Sequence, residues 1–174
     1  MTKPVLPFLA LGLAGIVVAT AAAQDLAPPA PGEPGSLEWH NTQQAALHGL
    51  SHANGWTTLA DGVKFRRTAG DGSGAAPTVQ DRITIHYTGS FTDGSVFDSS
   101  VERGEPATFR LGGLIRGWQI AIPYMGVGDT AEIAIPADAA YGVSGRGPIP
   151  GNATLFFTIE LLAIPSQSGA AASQ

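Results

Sequence analysis

Arg82-Ile83-Thr84-Ile85-His86-Tyr87-Thr88 places Ile83, Ile85 and Tyr87 on one side of an extended chain and Arg82, Thr84, His86 and Thr88 on the other. An apolar period of two predicts a strand with one buried face. The same alternation recurs upstream at Val63 to Arg67. Downstream it recurs at Ala107, Phe109 and Leu111, at Ala131, Ile133 and Ile135, and at Leu155, Phe157, Ile159 and Leu161. Asp61-Gly62, Asp71-Gly72 and Asp93-Gly94 punctuate these segments as turn dipeptides do between antiparallel strands. Five strands sharing one core are therefore expected, with one helical stretch among them, Ile115 to Ile122. Pro123 must end or kink that helix, because proline lacks the amide donor and restricts the residue before it. The fold class is α+β, with a single short helix on the concave face of the sheet.

Composition narrows the function classes. The chain has 174 residues, 44% of them apolar, and can bury one core; 23 Gly and 13 Pro suit a turn-rich β protein with extended ends. Charged residues are 13% of the total and the net charge is -5, so the dense cationic surface that binds nucleic acid is missing. The absence of cysteine excludes disulfides, thiolate nucleophiles, iron-sulfur clusters and cysteine-ligated zinc.

The ends read differently from the middle. Lys3, the apolar run Val5 to Val18 and Ala21-Ala22-Ala23 form the pattern of a secretory leader over residues 1–23, with cleavage near Ala23/Gln24. The alternative is an uncleaved anchor, but the run is short for a span of about 20 residues and contains Gly12 and Gly15. No cysteine follows the run, so a lipoprotein anchor is excluded. An exported protein, periplasmic or secreted, with no stable membrane insertion after cleavage is expected. Residues 24–58 read as a spacer with Pro28, Pro29, Pro31 and Pro34, followed by a short helix over Leu37 to Leu50 that Ser36 can cap. Residues 59–164 form the domain, and 165–174 carry no large apolar residue and are expected to be disordered.

Several generic chemical signals fall away. Gly70-Asp-Gly-Ser-Gly74 does not open a helix after a strand as a dinucleotide site requires. His48 and His52 share a helical spacing but have no further ligands at metal-binding distance in the sequence. Asn152-Ala-Thr154 matches a glycosylation sequon at the start of the last strand, a match too short to carry weight. Ser99, Ser100 and Ser144 are nucleophile candidates without a His and acidic orienter at motif spacing. An aromatic set remains, Tyr87, Phe97, Trp118, Tyr141 and Phe157. From composition alone it reads as an ordinary core.

Longer strings separate the two readings. His86-Tyr-Thr-Gly89, Phe97-Asp-Ser-Ser100, Ile115-Arg-Gly-Trp118, Met125-Gly-Val-Gly128, Ala140-Tyr-Gly142 and Ile149-Pro150, in this order, resemble the FKBP-type peptidyl-prolyl isomerases over about Leu59 to Ile164. The resemblance implies a half-open antiparallel sheet wrapped around one short helix, with the active pocket between them and no cofactor or metal. It implies Trp118 as the floor under a proline ring, Tyr87, Phe97 and Phe157 as walls, and Leu114 and Ile149 as aliphatic sides. The Ile115 amide and Tyr141 hydroxyl become donors to substrate carbonyls, and Asp98 stands at the edge, where Arg103 can pair with it. Partners would be proline-containing unfolded or exported polypeptides and macrolide-type inhibitors. Ala107 departs from the pattern, since relatives often carry an aromatic after the Pro106 position, and opens one wall. A binding module or chaperone that retains the pocket without turnover is the competing reading. The short N-terminal helix favours a monomer.

Overall fold

The computed structural model describes residues 32–165. The expected leader, most of the proline-rich spacer and the C-terminal tail lie outside the described residues. Seven strands form one antiparallel sheet: β1 (Thr57–Thr58), β2 (Lys64–Ala69), β3 (Arg82–Ser90), β4 (Val96–Ser99), β5 (Ala107–Arg110), β6 (Thr130–Ile135) and β7 (Leu155–Ala163). Their order is β1-β2-β6-β7-β3-β4, with β5 also on β3. The alternation of β3 survives in the burial of Ile83, Ile85, Tyr87 and Gly89 against the partial or full exposure of their neighbours.

β3 organises the sheet because both of its edges are used. One edge pairs with β7, Tyr87 opposite Ile159 and Gly89 opposite Phe157. The other is divided between β5, with Ile83 opposite Phe109, and β4, with Gly89 opposite Asp98. The sequence pattern foresees five strands; β1 and β4 are the additions. At two and four residues they are too short to display an alternation, and β4 pairs with β3 across a register shift between Gly89 and Ser90.

The helix α2 (Arg116–Ala121) crosses the concave face, burying Gly117, Trp118 and Ala121. It ends one residue short of the expected Ile122, and Pro123 falls within a single 3-10 turn over Ile122–Tyr124 that follows it. A Cβ on Gly117 would lie 2.4 Å from the Ile135 side chain, so only glycine permits this approach of helix to sheet. Ile83, Ile85, Leu111, Ile122, Ile133, Leu155 and Ile159 are fully buried between the layers. Each such side chain contributes roughly 1.5 to 3 kcal/mol of burial.

The opposite face is also covered. The helix α1 (Leu37–His48) starts where the Ser36 hydroxyl accepts a hydrogen bond from the Trp39 amide at 3.0 Å. Leu47 packs with Trp56 and Ala134 in a second buried cluster, joined by Leu50 and Phe156. Ala134 and Phe156 reach it because each neighbours a residue pointing to the concave side, Ile133 and Phe157. Gln43, buried, locks the helix down. Its Oε1 accepts from the Thr154 amide at 3.0 Å, its carbonyl from the Thr154 hydroxyl at 3.2 Å, and its Nε2 donates to the Thr92 hydroxyl at 3.1 Å. The segment grouped with the spacer in the sequence is thus seated on the sheet.

Candidate functional site

Between α2 and the concave face lies a cavity of about 260 Å³ walled by six aromatic rings. Trp118 is its hub. Phe157 meets it edge-on at 5.1 Å, Tyr87 at 5.4 Å and Phe109 at 6.4 Å between ring centroids. Phe97 stands perpendicular to Phe157 at 5.7 Å, and Tyr141, Leu114 and Ile115 complete the wall. Edge-to-face contacts fix ring orientation beyond what burial alone does, so the cavity has a shape before anything enters it. Gly89 makes room for this arrangement: a Cβ there would lie 2.6 Å from Phe97 and 2.8 Å from Phe157.

One charged side chain, Asp98, faces the cavity, and it is tied at the edge. Its carboxylate accepts from the Tyr87 hydroxyl at 2.6 Å and pairs with Arg103, whose guanidinium also donates to the Tyr87 oxygen at 3.0 Å. Partial burial pushes the Asp98 carboxyl upward, but the hydrogen bonds from Tyr87 and Arg103 outweigh it and hold the group below the ordinary aspartate range. Burial, followed by the bond to Asp98, moves Tyr87 the other way, so its phenol stays neutral beyond the usual range. At the edge, Asp98 is thus held by both Tyr87 and Arg103.

Ile115 and Tyr141 both stand on the lining. Ile115 is the residue before the first turn of α2; its carbonyl accepts from the Trp118 and Gln119 amides at 3.0 and 3.3 Å, while its own amide stands outside the helix ladder. Tyr141, half-buried in the cavity wall, leads into the loop that returns to β7. The Trp118 Nε1 is buried without a hydrogen-bond partner among the described residues.

Tyr87, Phe97, Asp98, Leu114, Ile115, Trp118, Tyr141 and Phe157 all line the cavity. Arg103 reaches it only through Asp98 and Tyr87. Two further expected residues are not among those lining the cavity. Ile149 is not on the lining; at 8% exposure it sits in the buried core cluster, its backbone bridged to Arg146. Ala107 is not on the lining either: opposite Ile85 on β5, its methyl group is too short to reach the cavity. The ring that does reach it from β5 is Phe109, which the sequence reading left among the core strands. Phe109 and Ala107 share one side of β5, and their shared alternation was the available signal. Two of the three serine candidates, Ser99 and Ser100, are structural. Ser100, fully buried, accepts from the Tyr87 amide at 2.8 Å and lies 3.1 Å from the His86 Nδ1. Ser99 is buried and bonded to Thr88 at 2.9 Å.

Residues 73–162 match the sequence model of the FKBP-type peptidyl-prolyl cis-trans isomerases, a span that holds every residue of the cavity wall. The chain belongs to this family. Among its relatives, the FKBP-type isomerase FkpA of Aeromonas hydrophila is 52% identical over 93 residues, covering 53% of this chain and 35% of that protein. The FKBP-type 22 kDa isomerase of Escherichia coli is 48% identical over 111 residues, 63% of this chain and 53% of that protein. The chain therefore matches between about a third and a half of the length of these curated relatives. A crystal structure of a peptidyl-prolyl cis-trans isomerase from Pseudomonas syringae superimposes with a TM-score of 0.66 at 34% identity, over 71% of this chain and 91% of that one. The half-open sheet around α2 is thus the FKBP fold, and its cavity is the hollow between helix and sheet.

Proposed function

We propose that the chain accelerates rotation about Xaa-Pro peptide bonds of other polypeptides by enclosing the proline ring over Trp118. The observation that carries this reading is the aromatic cavity itself: it is apolar, preformed and closed to charge except for an aspartate already neutralised by Arg103. An amide resists rotation by about 18 to 20 kcal/mol because planarity delocalises the nitrogen lone pair, and water stabilises the resulting dipole. A dry pocket favours the twisted, less dipolar transition state, and no covalent intermediate is needed.

The residues divide the work. Trp118, Phe157, Phe97 and Phe109 hold the ring; the Ile115 amide and Tyr141 hydroxyl donate to the carbonyls on either side of the twisting bond; Tyr87 and Arg103 fix Asp98. An acceleration on the order of 10^3 to 10^5 requires about 4 to 7 kcal/mol. Desolvation of the amide supplies roughly 1 to 3 kcal/mol and each hydrogen bond about 1. Holding the flanking chain bent supplies the remainder.

Proline-containing polypeptides newly exported from the cytoplasm are the proposed substrates; the leader pattern at residues 1–23 supports this compartment. The monomer is the proposed state, with macrolide-type inhibitors as competitors for the same cavity. Protease-coupled or NMR exchange assays on an Xaa-Pro peptide test the reading. Acceleration that falls at least tenfold in Trp118→Ala and Tyr141→Phe, and is blocked by a macrolide, supports it. Binding of the peptide with no acceleration selects a binding module instead. Light scattering of the chain from Gln24 onward checks the monomer.

A further inference from the structure

Beyond the proline cavity, a second groove runs between α1 and the turn joining β3 to β4. Pro34, Trp39, Phe91 and Pro150 make its apolar walls, and Glu38 and Asp93 are the charged groups on its lining. Its volume is about 410 Å³. Among the described residues, neither a lysine nor an arginine lines it.

The groove and the cavity share no lining residue, but packed rings join their walls. The Phe91 ring lies 4.9 Å from the Phe97 ring, Phe97 lies 5.7 Å from Phe157, and Phe157 lies 5.1 Å from Trp118. A row of rings therefore leads from the cavity floor to the groove wall, a path that about four or five extended residues can span. On the other flank, Pro150 of the groove follows Ile149 of the buried core.

The groove is also rigid. Gln43, which lines it, is the residue clamped between the Thr154 amide and the Thr92 hydroxyl, so α1 cannot slide relative to the β3–β4 turn without breaking the Thr92 bond, nor relative to the start of β7 without breaking the Thr154 bond. The turn itself is closed by the Phe91 amide on the Ser95 carbonyl at 2.9 Å, with the Asp93 carboxylate accepting from the Ser95 amide at 2.9 Å. The Ser95 hydroxyl and amide hold the Asp93 carboxyl below its ordinary range, so it is charged at neutral pH.

We propose that this groove is an extended substrate subsite that takes the polypeptide flanking the isomerised proline and selects for a lysine or arginine about four or five residues from it. The proposal rests on the isomerase reading of the cavity, and it adds a selectivity that the cavity alone does not have. An apolar wall with two carboxylates fits the aliphatic stem of a lysine or arginine and its charged end together. A segment with a glutamate there meets like charge instead.

The test compares one four-residue Xaa-Pro peptide, too short to reach the groove, with twelve-residue peptides carrying Lys or Glu four or five residues from the proline on either side. At low salt the Lys peptide should show a KM about three- to tenfold below the Glu peptide, a difference that shrinks at high salt. Glu38→Lys should remove or invert the difference while the four-residue peptide keeps its kcat/KM. The indole resonance of Trp39 should shift on titration with the Lys peptide and stay still with the short one. Equal KM values for Lys and Glu peptides with an unmoved Trp39 resonance would overturn the subsite. If no peptide is isomerised, the reading of the cavity fails, and the Trp39 titration still decides the groove on its own.

Discussion

At the residue scale, the site depends on which side chains can reach a common point. Gly89 is there for the rings beside it, and Gly89→Ala should force Phe97 and Phe157 apart, costing about 1 to 3 kcal/mol of stability and lowering kcat/KM about tenfold. Denaturation and a peptide assay on one preparation separate the two effects. On β5, Phe109→Ala should lower kcat/KM and destabilise by about 2 to 3 kcal/mol, less than a fully buried ring because Phe109 is partly exposed. Ala107→Phe should instead lower KM severalfold by extending a ring from the same side of β5. The Asp98 carboxyl, with its folded pKa depressed, contributes stability that is present above the unfolded value near 3.9 and is lost as pH falls through the lower folded value. Isomerisation should therefore be flat from about pH 5 to 8; an inflection in that window would show that a titrating group takes part.

Elements matter where two of them must hold their distance. α2 meets the sheet closely because Gly117 has no side chain, and α1 is fixed to the turn at Thr92 and to the start of β7 by one buried glutamine. Gln43→Ala leaves the buried Thr154 amide without an acceptor and should cost about 1 to 3 kcal/mol in urea titration. The helices were legible in different ways. Pro123 marked the end of α2, and Ser36 marked the start of α1 through its capping geometry. What α1 packs against was not legible, because its apolar residues are few and their partners, Trp56 and Ala134, are respectively 9 and 87 positions away from Leu47 in the chain.

For the whole molecule, the sheet carries a buried layer on each side, the cavity and core on one and the Leu47, Trp56 and Ala134 cluster on the other. Because β6 and β7 contribute to both layers through alternate residues, the two layers should unfold together. Trp39→Phe/Trp56→Phe and Trp39→Phe/Trp118→Phe double variants, each leaving one of the three tryptophans as a reporter of its own layer, should show coincident urea midpoints once corrected for the mutations. Separate midpoints would mean that α1 detaches independently.

The sequence by itself determined the strand faces, the single internal helix and most of the cavity wall, because alternation and turn dipeptides are local and the ordered motif strings carry Tyr87, Phe97, Asp98, Ile115, Trp118 and Tyr141 with them. Only the tertiary structure decided that the ring on the cavity lining from β5 is Phe109, that Ile149 is packed into the core, and that α1 closes the far face and borders a second groove. Those outcomes depend on side-chain reach and on contacts between distant segments. A one-dimensional pattern records which face a residue occupies, and reach across space is set only when the strands have taken their register.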